Sequence, residues 1–163
     1  MILQYFKKKE NEYKKIANIL YISVVVKSKD LLKINFFKEV NFDTSFELIS
    51  IILIFYMKIL KDKKNDNCLK ISDKLIKNFI DDLDKSLREA GIGDMSIGKH
   101  VKKYVKKFYY RIKIIDPILE DFNKINLMNY LNSLKFIDEK NTLKMADALI
   151  IIYQNIIKNK EIQ

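Results

Sequence analysis

An all-α fold, a single-domain bundle of about six to seven helices around a central apolar helix, follows from three features of the 163-residue chain. Glycine and proline, 3 and 1 in number, are nearly absent outside one region, so little interrupts a helical backbone. Apolar residues recur at spacings of three and four, and no run alternates with period two over a strand length. With 48% hydrophobic and 32% charged residues, a chain of this length buries a real core without disulfides or metal. The domain is expected to span residues 1–163, with its core over about 10–158.

The first helix is expected from Glu10 to Val26, where Tyr13, Ile16, Ala17, Leu20, Tyr21, Val24 and Val25 fall at helical spacing. Its end, "ISVVV", suits a strand locally, but a lone strand has nothing to pair with. Lys29 to Phe37 reads as a short connecting segment. Thr44 and Glu47 in "TSFE" match the T-x-x-E capping box, in which each side chain satisfies a backbone donor at a helix start. The helix they open, about Ser45 to Lys61, is apolar nearly all round from Phe46 to Met57, as the centre of a bundle requires. "KDKKNDN" reads as a polar linker. About Leu69 to Ala90 forms the next helix, with Ile71, Leu75, Ile76, Phe79, Ile80, Leu83 and Leu87 on one stripe. Asp81, Asp82 and Asp84 lie near its solvent side; three acids in one turn without a companion histidine read as a solvated face rather than a metal site.

"LREAGIGDMSIGKH", Leu87 to His100, holds every glycine and the only histidine of the chain. Gly91 falls where a left-handed residue ends a helix, and Ile92 would touch Leu87 in the apolar contact of a Schellman stop. Gly91 and Gly93 are expected to give a turn that Cβ-bearing residues would strain, with Ser96 and Gly98 completing it. Ser96 or Asp94 is expected to cap the next helix, about Ile97 to Ile115. Its apolar stripe is Ile97, Val101, Tyr104, Val105, Phe108, Tyr109 and Ile112, with Lys99, His100, Lys102, Lys103, Lys106, Lys107 and Lys113 across the rest. Tyr110 is the exposed aromatic. Pro117 in "DPILEDF" is expected to mark the following helix start. Helices over about Asn126 to Phe136 and Thr142 to Lys158 close the chain, the last facing Met145, Ala146, Leu149, Ile150, Tyr153, Ile156 and Ile157 inward.

A formal net charge of +10 gives long-range attraction to nucleic acid, acidic headgroups or an acidic protein. Nearly all the cations are lysine, beside abundant Asn and Ile, a pattern that an AT-rich genome would produce without selection for charge. Against that background Arg88 and Arg111, the only two arginines, flank the glycine stretch and mark positions that want a planar fork of donors. Carboxylates such as Asp81, Asp84, Glu89 or Asp94 are within their expected reach. The forks serve either a partner-facing surface or the locking of two helices.

Enzyme classes find no support. One Cys and one His stand on separate helices, with no G-x-S-x-G or H-E-x-x-H pattern, so no catalytic residue, metal or cofactor is expected. Gly91-x-Gly93 follows a helix, whereas a dinucleotide loop follows a strand. The aromatic residues among lysines in "KKYVKKFYYRIK" mostly share the apolar stripe, so stacking on nucleic acid is the weaker account and no specific DNA partner is expected. A single Cys68 forms no intramolecular disulfide, which favours a reducing compartment. The opening "MILQYFKKKE" reverses the order of a signal peptide, and the apolar run from Leu48 is too short to span a bilayer.

The stretch "FIDDLDKSLREAGIGDMSIGKHVKKYVKKFYYR", Phe79 to Arg111, resembles the signature of the ubiquinol-cytochrome c chaperone family, the assembly factors of the cytochrome bc complex. In pattern that signature is an acidic helix, then S-L-R-E-x-G-[VI]-G-D-x-S-[VI]-x-K, then a lysine-rich helix ending F-Y-G-R; Ser86 to Lys99 fit it without a gap. From about Ile19, "NILYISVVVKSKDLLKINFFKEVNFDTSFELISIILIFYMKILK" is similar to the family's helix, aromatic segment and D-x-R-F-[ED]-L-[IL] helix start. Three features depart from the pattern: Ser45 stands where a basic residue is expected, Tyr110 replaces the glycine before the terminal arginine, and the loop near Asp43 is shortened.

The resemblance implies a helical, non-enzymatic chaperone. Its client is newly made cytochrome b, bound near the ribosome's tunnel exit and held until haem is acquired and the complex assembles. Peripheral contact with an anionic membrane surface and a small partner protein, as in mitochondrial members, belong to the same expectation. So does a bacterial cytoplasmic location at the inner face of the inner membrane. The partner-facing candidates are Arg88, Asp94, Lys99, Lys102, Lys103, Lys106, Tyr110 and Arg111. A rival reading, a basic helical RNA- or ribosome-binding module without that client, leaves the run from Ser86 to Lys99 unexplained.

Overall fold

The computed structural model describes residues 2–158, with side chains from Lys9 onward. Six α-helices follow in order: α1 (Ile2–Leu32), α2 (Phe42–Asp62), α3 (Asp66–Glu89), α4 (Asp94–Asp121), α5 (Lys124–Ser133) and α6 (Thr142–Lys158), the last entered through a 3-10 turn at Glu139–Asn141. Among the described residues the one sheet-like pairing is an isolated antiparallel bridge between Phe37 and Ile137. The all-α class and the number of helices are as expected. The side chains of the opening "MILQYF" lie outside the described residues.

Contacts divide the chain into two compact units, Met1–Ile22 with Leu60–Tyr110 and Ser23–Ile59 with Arg111–Gln163. In the first, Ala17 and Leu20 of α1 are buried, as are Leu60 of α2, Ile71, Leu75, Phe79, Leu83 and Leu87 of α3, and Ile97 and Phe108 of α4. The α3 residues recur every fourth position, which draws a single stripe along the helix. Phe79 and Phe108 meet with ring centroids 4.8 Å apart. Polar ties tighten the same unit: the Tyr21 hydroxyl donates to Asp82 at 2.7 Å, Tyr13 to Asn67 at 2.6 Å, and Asn78 to Asn18 at 2.9 Å.

In the second unit α2 is the central apolar helix. Leu48, Ile51, Ile52, Leu53, Ile54, Phe55 and Tyr56 are all at most 2% exposed, so every side of the helix faces protein. Val24 and Leu31 of α1, Ile115 and Leu119 of α4, Leu127 and Leu131 of α5, and Met145, Leu149 and Ile156 of α6 complete this core. Tyr153 meets Phe55 at 5.0 Å and Phe122 at 5.3 Å between centroids.

Several boundaries differ from the sequence reading, each for a local reason. The helix expected to end at Val26 runs to Leu32, because Val24, Ser28 and Leu31 remain buried along one face and the Ser28 hydroxyl donates to the Val24 carbonyl at 2.8 Å. Burial overrides the strand preference of the valines.

The Thr44–Glu47 capping box does not form. Asn41 starts α2 instead: its Oδ1 accepts from the Thr44 N–H at 3.0 Å and its carbonyl from the Ser45 N–H at 3.0 Å. Thr44 donates its hydroxyl to the Glu39 carbonyl, and Glu47 turns away to an arginine. A guanidinium fork competes better for a carboxylate than one backbone N–H does.

The third helix begins at Asp66 rather than Leu69, since Asn65 caps it through a 2.9 Å bond from the Asn67 N–H. Similarly, Asn123 accepts from the Asn126 N–H at 3.1 Å and starts α5 at Lys124. This helix ends at Ser133, short of Phe136, whose carbonyl is taken by the Lys38 N–H at 2.9 Å.

Pro117 does not open a helix; it lies inside α4. The carbonyl it leaves without a donor belongs to Lys113, which is exposed like Pro117 itself, so water can satisfy it. Buried Ile115 and Leu119 hold the turn helical on either side.

Candidate functional site

The turn from Leu87 to Ser96 ends α3 as expected. Gly91 takes a φ of +93°, its N–H donates to the Arg88 carbonyl at 2.9 Å, and the Ile92 N–H donates to the Leu87 carbonyl at 3.1 Å. These are the two bonds of a Schellman stop. Gly93 departs from expectation: its φ is not positive and a Cβ there would meet open space, so the turn makes a conformational demand at Gly91 alone. Neither Asp94 nor Ser96 caps α4. The Gly93 carbonyl accepts from the Ser96 and Ile97 N–H groups, both at 3.0 Å, and from the Ser96 hydroxyl at 3.1 Å. Gly98 lies within α4, exposed, with open space where a side chain would be.

Arg88 bridges the turn. Its guanidinium donates to Asp84, one turn back on α3, and to Asp94, the first residue of α4. Both are among the expected carboxylates, and together they raise the Arg88 pKa, Asp84 first. Asp81 takes no part in the fork, and Glu89 lies instead near Lys85 at 3.8 Å. Asp94 also places a negative charge at the positive end of the α4 dipole.

Lys99, Lys102, Lys103 and Lys106 follow on the exposed side of α4, with Lys107 and Tyr110 beside them, over a shallow, open surface. Among the described residues, the first four have no ion-pair partner. Tyr104 and Lys107 make a cation–π contact at 5.3 Å. Seven of the eight candidates thus share the first unit, six on α4 and Arg88 at the end of α3.

Arg111 belongs to the second unit and has a different environment. Its Nε and Nη2 donate to the two carboxylate oxygens of Glu47 at 2.9 and 2.8 Å. The Glu47 and Arg111 side chains are 6% and 15% exposed, and the Tyr130 ring lies beneath the guanidinium at 5.9 Å. Burial first, and the Glu47 charge second, push the Tyr130 phenol well above its ordinary range. Its hydroxyl has no hydrogen-bond partner among the described residues.

Glu47 was missed as the arginine's partner, yet the sequence carries a signal for it. A carboxylate set in an otherwise apolar helix requires a cation, and a fork is the residue type best suited to a buried one. Lys58 obeys the same logic: it is 8% exposed and lies 3.4 Å from Glu120 and 3.9 Å from Asp116.

Cys68 is buried near the start of α3, and His100 is half-buried on α4. Among the described residues no three His, Cys, Asp or Glu side chains are grouped to hold a metal ion, and no helix is long and apolar enough to cross a membrane. The described residues present three surfaces: an arginine-braced turn, an exposed row of cations, and on α1 the exposed apolar pair Ile19 and Ile22, at 58% and 63%.

The crystal structure of the Cbp3 homolog from Brucella abortus superposes on the chain with a TM-score of 0.77. The match covers 100% of this chain and 90% of that one at 23% identity, which establishes a shared fold. No curated protein matches the chain. A family model described as Ubiquinol-cytochrome C chaperone matches residues 38–150, more than half of the sequence, and takes in α2, α3, the braced turn and α4. The chain belongs to the ubiquinol-cytochrome C chaperone family.

Proposed function

We propose that the protein is an assembly chaperone for the cytochrome bc complex, respiratory complex III, which binds newly made cytochrome b near the ribosome and the membrane and holds it for haem insertion. The observation that carries this reading is the family match over residues 38–150, with the run Ser86 to Lys99 inside it. The client is a membrane protein caught before it is buried in lipid, so the chaperone must offer apolar surface; Ile19 and Ile22 supply some on α1. Arg88 and Asp94 shape the partner-facing turn, with Lys99, Lys102, Lys103, Lys106 and Tyr110 beside it. Arg111 fixes its own stretch of α4 to Glu47. A small partner protein, as in mitochondrial relatives, fits the same scheme. The protein works in the cytoplasm, at the inner face of the inner membrane, and acts without catalysis.

The test is affinity capture of the tagged protein from its own cells in mild detergent, together with haem spectra after deletion. Recovery of cytochrome b and loss of the assembled bc complex on deletion are expected. Recovery of ribosomes or RNA alone, with the bc complex intact, would replace this reading by that of an RNA- or ribosome-binding module.

A further inference from the structure

We propose that the outward face of α4, formed by Met95, Lys99, Lys102, Lys103, Lys106 and Tyr110, docks the protein on an anionic lipid surface. At 100° per residue these six positions fall within about a third of the helix circumference. Ile97 and Phe108 on the opposite side are buried in the first unit, which leaves this face outward. From Met95 to Tyr110 it extends about 22 Å along a single helix. A straight row of this kind meets a plane along its whole length.

The chemistry of the row selects lipid. Four lysines without ion-pair partners among the described residues give point charges suited to headgroup phosphates. No arginine stands in the row, although planar guanidinium stacking is a usual device for unpaired bases. Met95 is fully exposed at 105%, and a polyanion offers no partner for its thioether. A bilayer does: an apolar side chain at one end of a cationic helix face enters the boundary between headgroups and acyl chains. Tyr110, 59% exposed at the other end, has the amphipathic ring favoured at headgroup depth.

This deepens the proposed function, resting on it for the idea that the client emerges beside a bilayer. Its test needs neither client nor ribosome, so the two readings fail separately. The full-length protein is mixed with vesicles of phosphatidylcholine alone or with 30% phosphatidylglycerol added, about one lipid in three, and its partition is measured by flotation. Binding to the anionic vesicles only is expected. The variant K99Q/K102Q/K103Q/K106Q should lose about a hundredfold or more of that affinity, at about fivefold per lysine, with a melting temperature equal to that of the wild type or higher. Met95→Ser with Tyr110→Ser should weaken it several-fold while its salt dependence persists.

An equal charge loss at Lys14, Lys15, Lys29 and Lys144, all exposed, should leave most of the binding intact. Equal loss in the two charge variants would overturn the proposal, since net charge alone would then be at work. So would failure of the wild-type protein to bind anionic vesicles. Tight binding of an RNA oligonucleotide that disappears in the α4 variant, without lipid binding, would assign the row to nucleic acid instead.

Discussion

The two arginines show how one residue type serves two ends. Arg111 and Glu47 form a bidentate pair largely shut off from water, so deleting one partner strands the other as a buried charge. Arg111→Ala and Glu47→Ala are each expected to cost about 3–5 kcal/mol in urea unfolding. Arg88 holds Asp84 and Asp94 in the open, where solvent screens the pairs, and Arg88→Lys should move the melting temperature little. Lost client capture from an Arg88→Lys protein of normal stability would place Arg88 on the functional face. A large loss of stability would make it a structural lock.

Tyr130 provides a contrast on the same pair. Its hydroxyl is buried without a partner among the described residues, so Tyr130→Phe keeps the ring under Arg111 and removes only an unmet polar group. The variant should be as stable as wild type, or more stable by up to about 1 kcal/mol. Tyr21→Phe forfeits a bond to Asp82 and should cost about 1–2 kcal/mol. Both phenols have a folded pKa raised above the unfolded value near 10. Neither titration costs stability below that pH, and stability falls as pH rises above it, because the unfolded chain then ionises these phenols more readily than the folded one. Stability followed by urea unfolding should begin to fall near pH 10, and less steeply in Tyr130→Phe, where Tyr21 alone of the two remains.

At the scale of elements, the braced turn separates a glycine that is required from one that is not. Gly91 at φ +93° should resist replacement: Gly91→Ala is expected to cost about 1–2 kcal/mol, although a Cβ there touches nothing. Gly93→Ala, at an ordinary φ with open space, should be neutral to slightly stabilising. Thermal melts of the two variants decide this directly.

The Schellman stop was legible because Leu87, Gly91 and Ile92 carry it at fixed offsets, and the bounds of α6, Thr142 to Lys158, were legible from its apolar period, although Ile157, read as inward, is exposed. The start of α2 was not, since "TSFE" satisfies a local rule that a distant arginine overrides. The asparagine caps at Asn65 and Asn123 were hidden in an asparagine-rich sequence, and Pro117 misled because the burial of Ile115 and Leu119 is invisible to local pattern. For the candidate site, residue types and spacing gave the Arg88 fork and the lysine row, whereas the Arg111–Glu47 pair joins positions 64 apart in sequence.

For the whole molecule, 31 basic against 21 acidic side chains leave an excess that repels itself in the compact state. Part of it sits on α4, where four lysines in two helical turns have no counter-charge among the described residues. Salt screens such repulsion between charges farther apart than a Debye length, about 10 Å at 0.1 M. Raising ionic strength from about 0.05 to 0.5 M should therefore increase the melting temperature. The same screening weakens attraction to any anionic partner, so association with one should fall over the same range. Opposite salt trends for stability and for binding are expected of a chain whose charge excess serves a partner rather than the fold. If both instead fell together as salt rose, the exposed ion pairs, such as Lys74 with Glu10 at 2.9 Å, would be holding the fold together more strongly than the excess charge opposes it. Melting scans and a binding isotherm across one salt series distinguish these outcomes.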